Sequence, residues 1–369
     1  MKPFHVLKKL HNVPLNSYLD KLYDPLSIQA KKIQMRKEAK RIIKMVREKR
    51  ERKVVDRALM SRIREYAREN FGSSAYWPWL VCFTEIRGAF HEGWVPCDFY
   101  RFHLIKKINP VHSSFLSFTK SFDTRLFGDF SIPYIVFKTN DTLFDKDLNI
   151  LDETAALEKI RAAGGEVVIK KDSGRWGRDI TFVDSSRVER EMLSPKYDII
   201  IQKAFKQHPD IAAVYSRSIN TIRITTFLDF DSTVKVKNVV MRIGAGGSRT
   251  DNFKTGGHLL FFDEEGRGRS HAFAGIILEP ENEHPDTGYA YRDLKITALD
   301  LAKERCIRSH YKYPYLRLIG WDVFIDGENN PRLIEWNGKY PGYWPMEALL
   351  GPWWSTEEIR RMSRREDLR

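Results

Sequence analysis

"GWDVFIDGENNPRLIEWN", residues 320–337, reads as two strands joined by a turn. "DGENNP" is dense in turn-forming residues. A loop over residues 326–331 sets Ile325 opposite Arg332 in an antiparallel pair. Asp322 then lies opposite Glu335, and Asn337 lies opposite Gly320, which has no side chain to fill the space. Residues i and i+2 of a strand share a face. Asp322, Glu335 and Asn337 therefore form one polar patch, with facing Cβ atoms ~5 Å apart. Two carboxylates that close repel unless a cation lies between them. With the amide oxygen they offer hard oxygen ligands that suit Mg²⁺, which fills its shell with water and phosphate oxygens. The plain alternative is an acidic hairpin face turned to solvent, or a slipped register.

A metal that takes phosphate oxygens predicts a phosphate cradle elsewhere. "EVVIKKDSGRWGRDITFV", residues 166–183, reads as strand, glycine loop, strand. Gly174 and Gly177 let a backbone approach a ligand closely, and successive N–H groups can hold phosphate. Lys170 or Lys171 supplies charge at the strand's end. The bulky Trp176 sits oddly in such a loop. Further on, "SINTIRITT" places Arg223 in a strand, and "VVMRIGAGGSRTDNFKTGGHLLFF" offers Arg242, Arg249, Asn252 and Lys254 among five glycines. Such a density of cations and glycines fits a polyanion site; a surface loop is the alternative.

Composition frames these motifs. Over 369 residues, 42% are hydrophobic and 30% charged, as in ordinary globular proteins. Three cysteines, Cys82, Cys97 and Cys306, are widely spaced. That speaks against a disulfide framework or a Cys zinc site. The start has no apolar signal core, and no stretch reaches the ~18 apolar residues of a membrane span. The expectation is a cytoplasmic chain. Of the net charge of +13, residues 31–57 hold a large share, with 13 Lys or Arg against 4 Asp or Glu. Good helix formers without Gly or Pro predict one helix there, with Ile42, Val46 and Leu59 on a narrow stripe. Its charge is either a solvated face or a contact for the anionic inner face of a membrane. Nucleic acid is disfavoured, because no aromatics interleave with the basic residues.

The division expected is a helical region over 1–112, a mixed domain over 113–350 and a charged helix or tail over 351–369. In the middle part, strand-like runs begin at "PYIVF", "EVVIK", "ITFVD", "DIIIQKAF", "NTIRITTFLDF", "TVKVKNVVMRIG", "HLLFFDEEG", "WDVFID" and "RLIEWN". Helical stretches near 152–163 and 292–310 lie among them, which predicts an α+β or α/β class.

Taken in order over residues 113–350, these segments resemble the ATP-grasp superfamily, whose fold is α+β with ATP held between two sheet layers. The resemblance implies that Lys120 in "FTKSFDTRLFGDFSIP" and Lys170 hold ATP phosphates, although Lys171 stands where the family usually has Pro. It implies an adenine hinge over Lys203–Phe205, preceded by Gln202, with His208 or Asp210 at the ribose. It makes Asp322, Glu335 and Asn337 the Mg²⁺ set, Arg223, Arg242 and Arg249 the residues that steady developing charge, and the glycine loop a lid. "SRSINTIRITT", "RIGAGGSRTDN", "GWDVF…LIEWN" and "IRGAFHEGWVPCDFYRFHL" look most like the sugar-transfer-associated group found with exopolysaccharide biosynthesis. The activity implied is ATP-dependent coupling of a carboxylate to an amine through an acyl-phosphate, on a small molecule or a glycan precursor. A kinase acting on a sugar hydroxyl is the alternative.

Overall fold

The computed structural model describes residues 25–173, 180–253 and 256–363. Gly174, Gly177, Lys254 and the first 24 residues lie outside them, so the expected glycine loop does too. The chain divides into two compact units. One takes in residues up to Leu104 together with those from Trp344, and the other is Ile105–Tyr343.

The first unit is helical. Helix α1 (Pro25–Arg50) buries Met35, Ala39, Ile42, Ile43 and Val46, a spacing of three and four that lays one stripe along it. It packs against α3 (Trp77–Arg87), which also meets α2 (Arg57–Phe71). The single helix expected over 31–57 is therefore corrected. Glu51 takes φ +49, which ends α1. The amides of Val54 and Val55 then donate to the buried Glu85 carboxylate at 2.9 and 3.2 Å. Asp56 restarts the chain as α2 by accepting from the Leu59 amide. Leu59 thus belongs to a different helix from Ile42 and Val46. Arg47 and Arg36 are drawn inward, to Glu85 and Asp98 respectively, each at 2.6 Å.

The second unit carries two sheets that are antiparallel throughout their described pairings. The first has the order β3-β2-β1-β6-β4-β5. Its strands are β1 (Tyr134–Thr139), β2 (Thr142–Asp145), β3 (Ile150–Leu151), β4 (Glu166–Lys171), β5 (Ile180–Asp184) and β6 (Ile199–Lys203). Helix α4 (Glu153–Ala163) covers it through Ala156, Leu157 and Ile160. The second sheet runs β11-β10-β9-β8-β7-β12-β13. It comprises β7 (Ile222–Leu228), β8 (Val234–Ile243), β9 (His258–Phe262), β10 (Gly268–Ala274), β11 (Glu279–Glu281), β12 (Leu318–Ile325) and β13 (Pro331–Asn337). Helix α5 (Leu299–Lys312) packs Leu299, Ala302 and Cys306 into its core with Trp321 and Trp336. All three cysteines are free and buried. No described helix is long and apolar enough to cross a membrane.

The β12–β13 hairpin keeps the expected pairs at the site but reaches them differently. Asp322 pairs with Glu335 and Gly320 with Asn337, yet Ile325 faces Pro331 rather than Arg332. The turn is shorter than expected because Asp326 folds it, accepting from the Glu328 and Asn330 amides at 3.0 and 2.8 Å. A bulge at Ile334 absorbs the extra residue. It also explains why Leu333 and Trp336, three apart, both face the core. On an unbroken strand they would point to opposite sides.

Candidate functional site

Three neighbouring strands build a charged face. Arg223 on β7 lies opposite Asp322 on β12, which lies opposite Glu335 on β13. Arg223 grips Asp322 with both prongs, Nε to Oδ1 at 2.5 Å and Nη2 to Oδ2 at 2.8 Å. Its stem lies 3.4 Å from where a Cβ on Gly320 would stand, so any longer side chain there would compete for its space. Arg242, from β8, adds Nη2 to Asp322 Oδ2 at 3.2 Å. Asn337 Nδ2 donates to the same oxygen at 3.3 Å. Burial alone would push the Asp322 carboxyl up, but the two guanidiniums overcome it and hold it below the usual carboxylate range. Glu335 moves the other way, raised by burial and then by Asp322.

Lys170 on β4 and Lys120, from a short 3-10 turn ahead of β1, add cations to this face. Lys120 Nζ lies 4.0 Å from Glu335 Oε2 and donates to the Asp172 carbonyl at 3.3 Å. The Asp172 carboxylate in turn accepts from the Ser121 amide and hydroxyl, both at 2.8 Å. The turn after β4 therefore fixes the segment that carries Lys120. Lys170 is held down to about 8, first by burial and then by Lys120 beside it, while Glu335 and Asp123 counteract. Lys171 points elsewhere, over the Tyr197 ring at 5.1 Å, as strand alternation requires. Asp123 is raised by burial to about 7 and accepts from Trp336 Nε1 at 2.9 Å.

The remaining candidates are spread out. Arg249 is exposed, with its guanidinium 5.0 Å from the Phe182 ring on β5, and does not join Arg223 and Arg242. Gln202 donates to the Ile132 carbonyl at 2.7 Å, and Lys203 to the Ala163 carbonyl at 3.2 Å. Phe205 packs edge-on to Phe324 of β12 at 5.9 Å. Asp210 is exposed, 3.6 Å from His208. Sequence reasoning passed over Asp172, Thr221 and Asp251. Thr221 Oγ1 accepts from Arg242 Nε at 2.9 Å and donates to Asp251, so these two residues steady Arg242. No local pattern marks them, because their partners lie 51 and 30 residues away in the chain.

Among the described residues no three His, Cys, Asp or Glu side chains converge as a metal set. The donors of the charged face still fit a hard divalent cation, because the Glu335 carboxylate, raised first by burial and then by Asp322, faces that second carboxylate beside the Asn337 amide oxygen.

A two-sheet unit with such a face admits a direct comparison. Residues 192–351 match the family model for sugar-transfer associated ATP-grasp. The match takes in β6 to β13, and the described fold is of the α+β class. Among solved structures, the chain is similar to the ATP-grasp ligase PsnB complexed with minimal precursor, with 15% identity and a TM-score of 0.36 over 69% of this chain and 64% of that one. It is similar to D-alanyl-alanine synthetase A from Vibrio cholerae, with 13% identity and a TM-score of 0.40 over 68% and 64%. A biotin carboxylase complex from Campylobacter jejuni gives 12% identity and a TM-score of 0.41 over 70% and 48%. The chain spans a little under two thirds of the first two and about half of the third. No curated protein sequence matches it.

Proposed function

We propose that this protein is an ATP-dependent carboxylate–amine ligase that decorates a sugar or polysaccharide precursor. The observation that carries the reading is the convergence of Arg223, Arg242 and Lys120 on the carboxylates of Asp322 and Glu335, all but Lys120 within a segment matched to sugar-transfer associated ATP-grasp. The catalytic domain is taken as residues 113–350. Phosphoryl transfer asks a protein mainly for positioning and charge neutralisation. Lys120 and Lys170 hold phosphate oxygens, and Arg223 and Arg242 steady the charge that develops on the transferred group. Asp322, Glu335 and Asn337 would hold Mg²⁺, which neutralises phosphate charge when bound. Arg249, set on Phe182, serves the reaction from the neighbouring loop. The backbone over Lys203–Phe205 receives adenine, with Gln202 bracing the strand before it and Asp210 close by for ribose.

The carboxylate oxygen of the substrate attacks the γ-phosphorus and ADP leaves. The amine then attacks the acyl carbon, and phosphate departs with one oxygen of the former carboxylate. The work is placed in the cytoplasm, with the basic outward face of α1 set against an anionic membrane surface.

The test is ADP release across a panel of amino acids and amino sugars, with ¹⁸O in the carboxylate. Release that needs both a carboxylate and an amine, with one label moved into inorganic phosphate, is the expected result. Amide formed without label transfer rules out the acyl-phosphate. A stable phosphoester with no labelled phosphate means a kinase.

A further inference from the structure

A buried polar junction ties the ends of three strands together and has no place in the roles given so far. Asn220 is fully buried. Its amide has two donors and two acceptor sites, and all four are used. Nδ2 donates to Gln207 Oε1 at 3.1 Å and to the Tyr215 carbonyl at 2.7 Å. Oδ1 accepts from the Gly244 amide at 3.0 Å and from Ser218 Oγ at 3.3 Å. Gln207 is equally saturated. Its Nε2 donates to the Tyr215 and Ser218 carbonyls at 2.8 and 2.9 Å, and its Oε1 also takes the Asn220 backbone amide at 2.9 Å.

The positions of these residues in the chain give the junction its meaning. Gln207 follows β6 and makes a backbone bridge to Asp326 at the end of β12. Asn220 directly precedes Thr221, whose hydroxyl accepts from Arg242. Gly244 directly follows β8, two residues beyond Arg242, and a Cβ there would lie 2.5 Å from Ser218 Oγ and 2.7 Å from Tyr215 Cε1. Any larger residue there would have to displace Ser218 and Tyr215, both partners in the junction. A saturated buried network fixes its members in one arrangement, and a member that loses a donor leaves its partners unpaired.

We propose that Asn220 is a positioning residue that sets Arg242 for a nucleotide's phosphates by pinning Gly244 and Thr221 to the segment after β6. This rests on the nucleotide reading above. The test is the affinity of the full chain for Mg²⁺ and β,γ-imido-ATP, measured by calorimetric titration at a temperature where circular dichroism shows each variant folded. Asn220→Asp keeps the shape but removes both donors, and is expected to weaken binding roughly tenfold. Arg242→Ala is expected to weaken it by at least as much. The double variant should bind no more weakly than Arg242→Ala alone, because Asn220 acts through that residue. Gln207→Met removes the anchor from the other side and takes the place of Asn220→Asp in the cycle if the latter does not fold. Losses that multiply, or a folded Asn220→Asp that binds like the unaltered chain, overturn the positioning role and leave the nucleotide reading intact. If the unaltered chain does not bind the analogue, the nucleotide reading falls and this proposal falls with it.

Discussion

Glu335 faces Asp322 across the hairpin, and burial together with that charge raises its carboxyl. Lys120 is the counterweight at 4.0 Å. Glu335→Gln keeps the shape and removes the repulsion, so the thermal midpoint should hold or rise. Turnover at limiting Mg²⁺ should fall by orders of magnitude, since a lost carboxylate weakens the ion; unchanged turnover would assign Glu335 to the fold alone. His310 gives a stability test. Buried and neutral, it bonds the Leu316 carbonyl at 2.8 Å and the Thr226 hydroxyl at 2.7 Å, and burial lowers it from 6.5 to about 4. Between those values the unfolded chain binds the extra proton. The contribution is complete above pH 6.5 and is lost as pH falls to 4, by roughly 3 kcal/mol. Urea unfolding across that range should show the loss, and His310→Gln should flatten it. The polar patch of the hairpin is legible because alternation and turn chemistry fix it locally. That Arg223 grips Asp322 is not legible, because it needs β7 beside β12, and 89 residues of chain lie between those strands. Asp172, Asp251 and Asn220 leave no pattern at all, since each bonds backbone far from itself in sequence.

Elements with strong internal rhythm are readable, and those ended or begun by distant partners are not. The runs at β1, β4 to β9, β12 and β13 stand out by β-branched and aromatic residues, and helix α4 by its Ala, Leu, Glu and Lys. The short strands β2, β3 and β11, and the polar β10, carry too little pattern to mark themselves. The end of α1 is the clearest case. Residues 51–57 are good helix formers, yet Glu85 on α3 collects Arg47 and two backbone amides there. Glu85 is 1% exposed. Glu85→Ala should therefore cost about 3 kcal/mol, the typical penalty for stranding one partner of a buried ion pair. Chemical denaturation monitored by tryptophan fluorescence checks this. A loss under 1 kcal/mol would show that water replaces the carboxylate cheaply.

For the whole molecule, the large positive charge is only partly spent inside. Arg36 and Arg47 face inward, while Lys37, Lys40, Arg41 and Lys44 remain exposed on α1, as do Leu26 and Ile33 at 80% and 46%. Helical spacing puts Leu26, Ile33, Lys37, Lys40 and Lys44 on one outward side. The full chain should sediment with vesicles rich in anionic lipid at low salt, release as salt rises, and lose the effect in Lys37→Glu/Lys44→Glu. Equal binding to neutral vesicles would leave the charge as a solvated face. The bulge at Ile334 bears on how the protein can be handled. It indexes the hairpin tip and the charged face separately, so a slip at the tip is taken up before it reaches Glu335. A fluorophore attached at the exposed tip residue Glu328 can thus ride on the hairpin while the residues that would do the chemistry keep their aim.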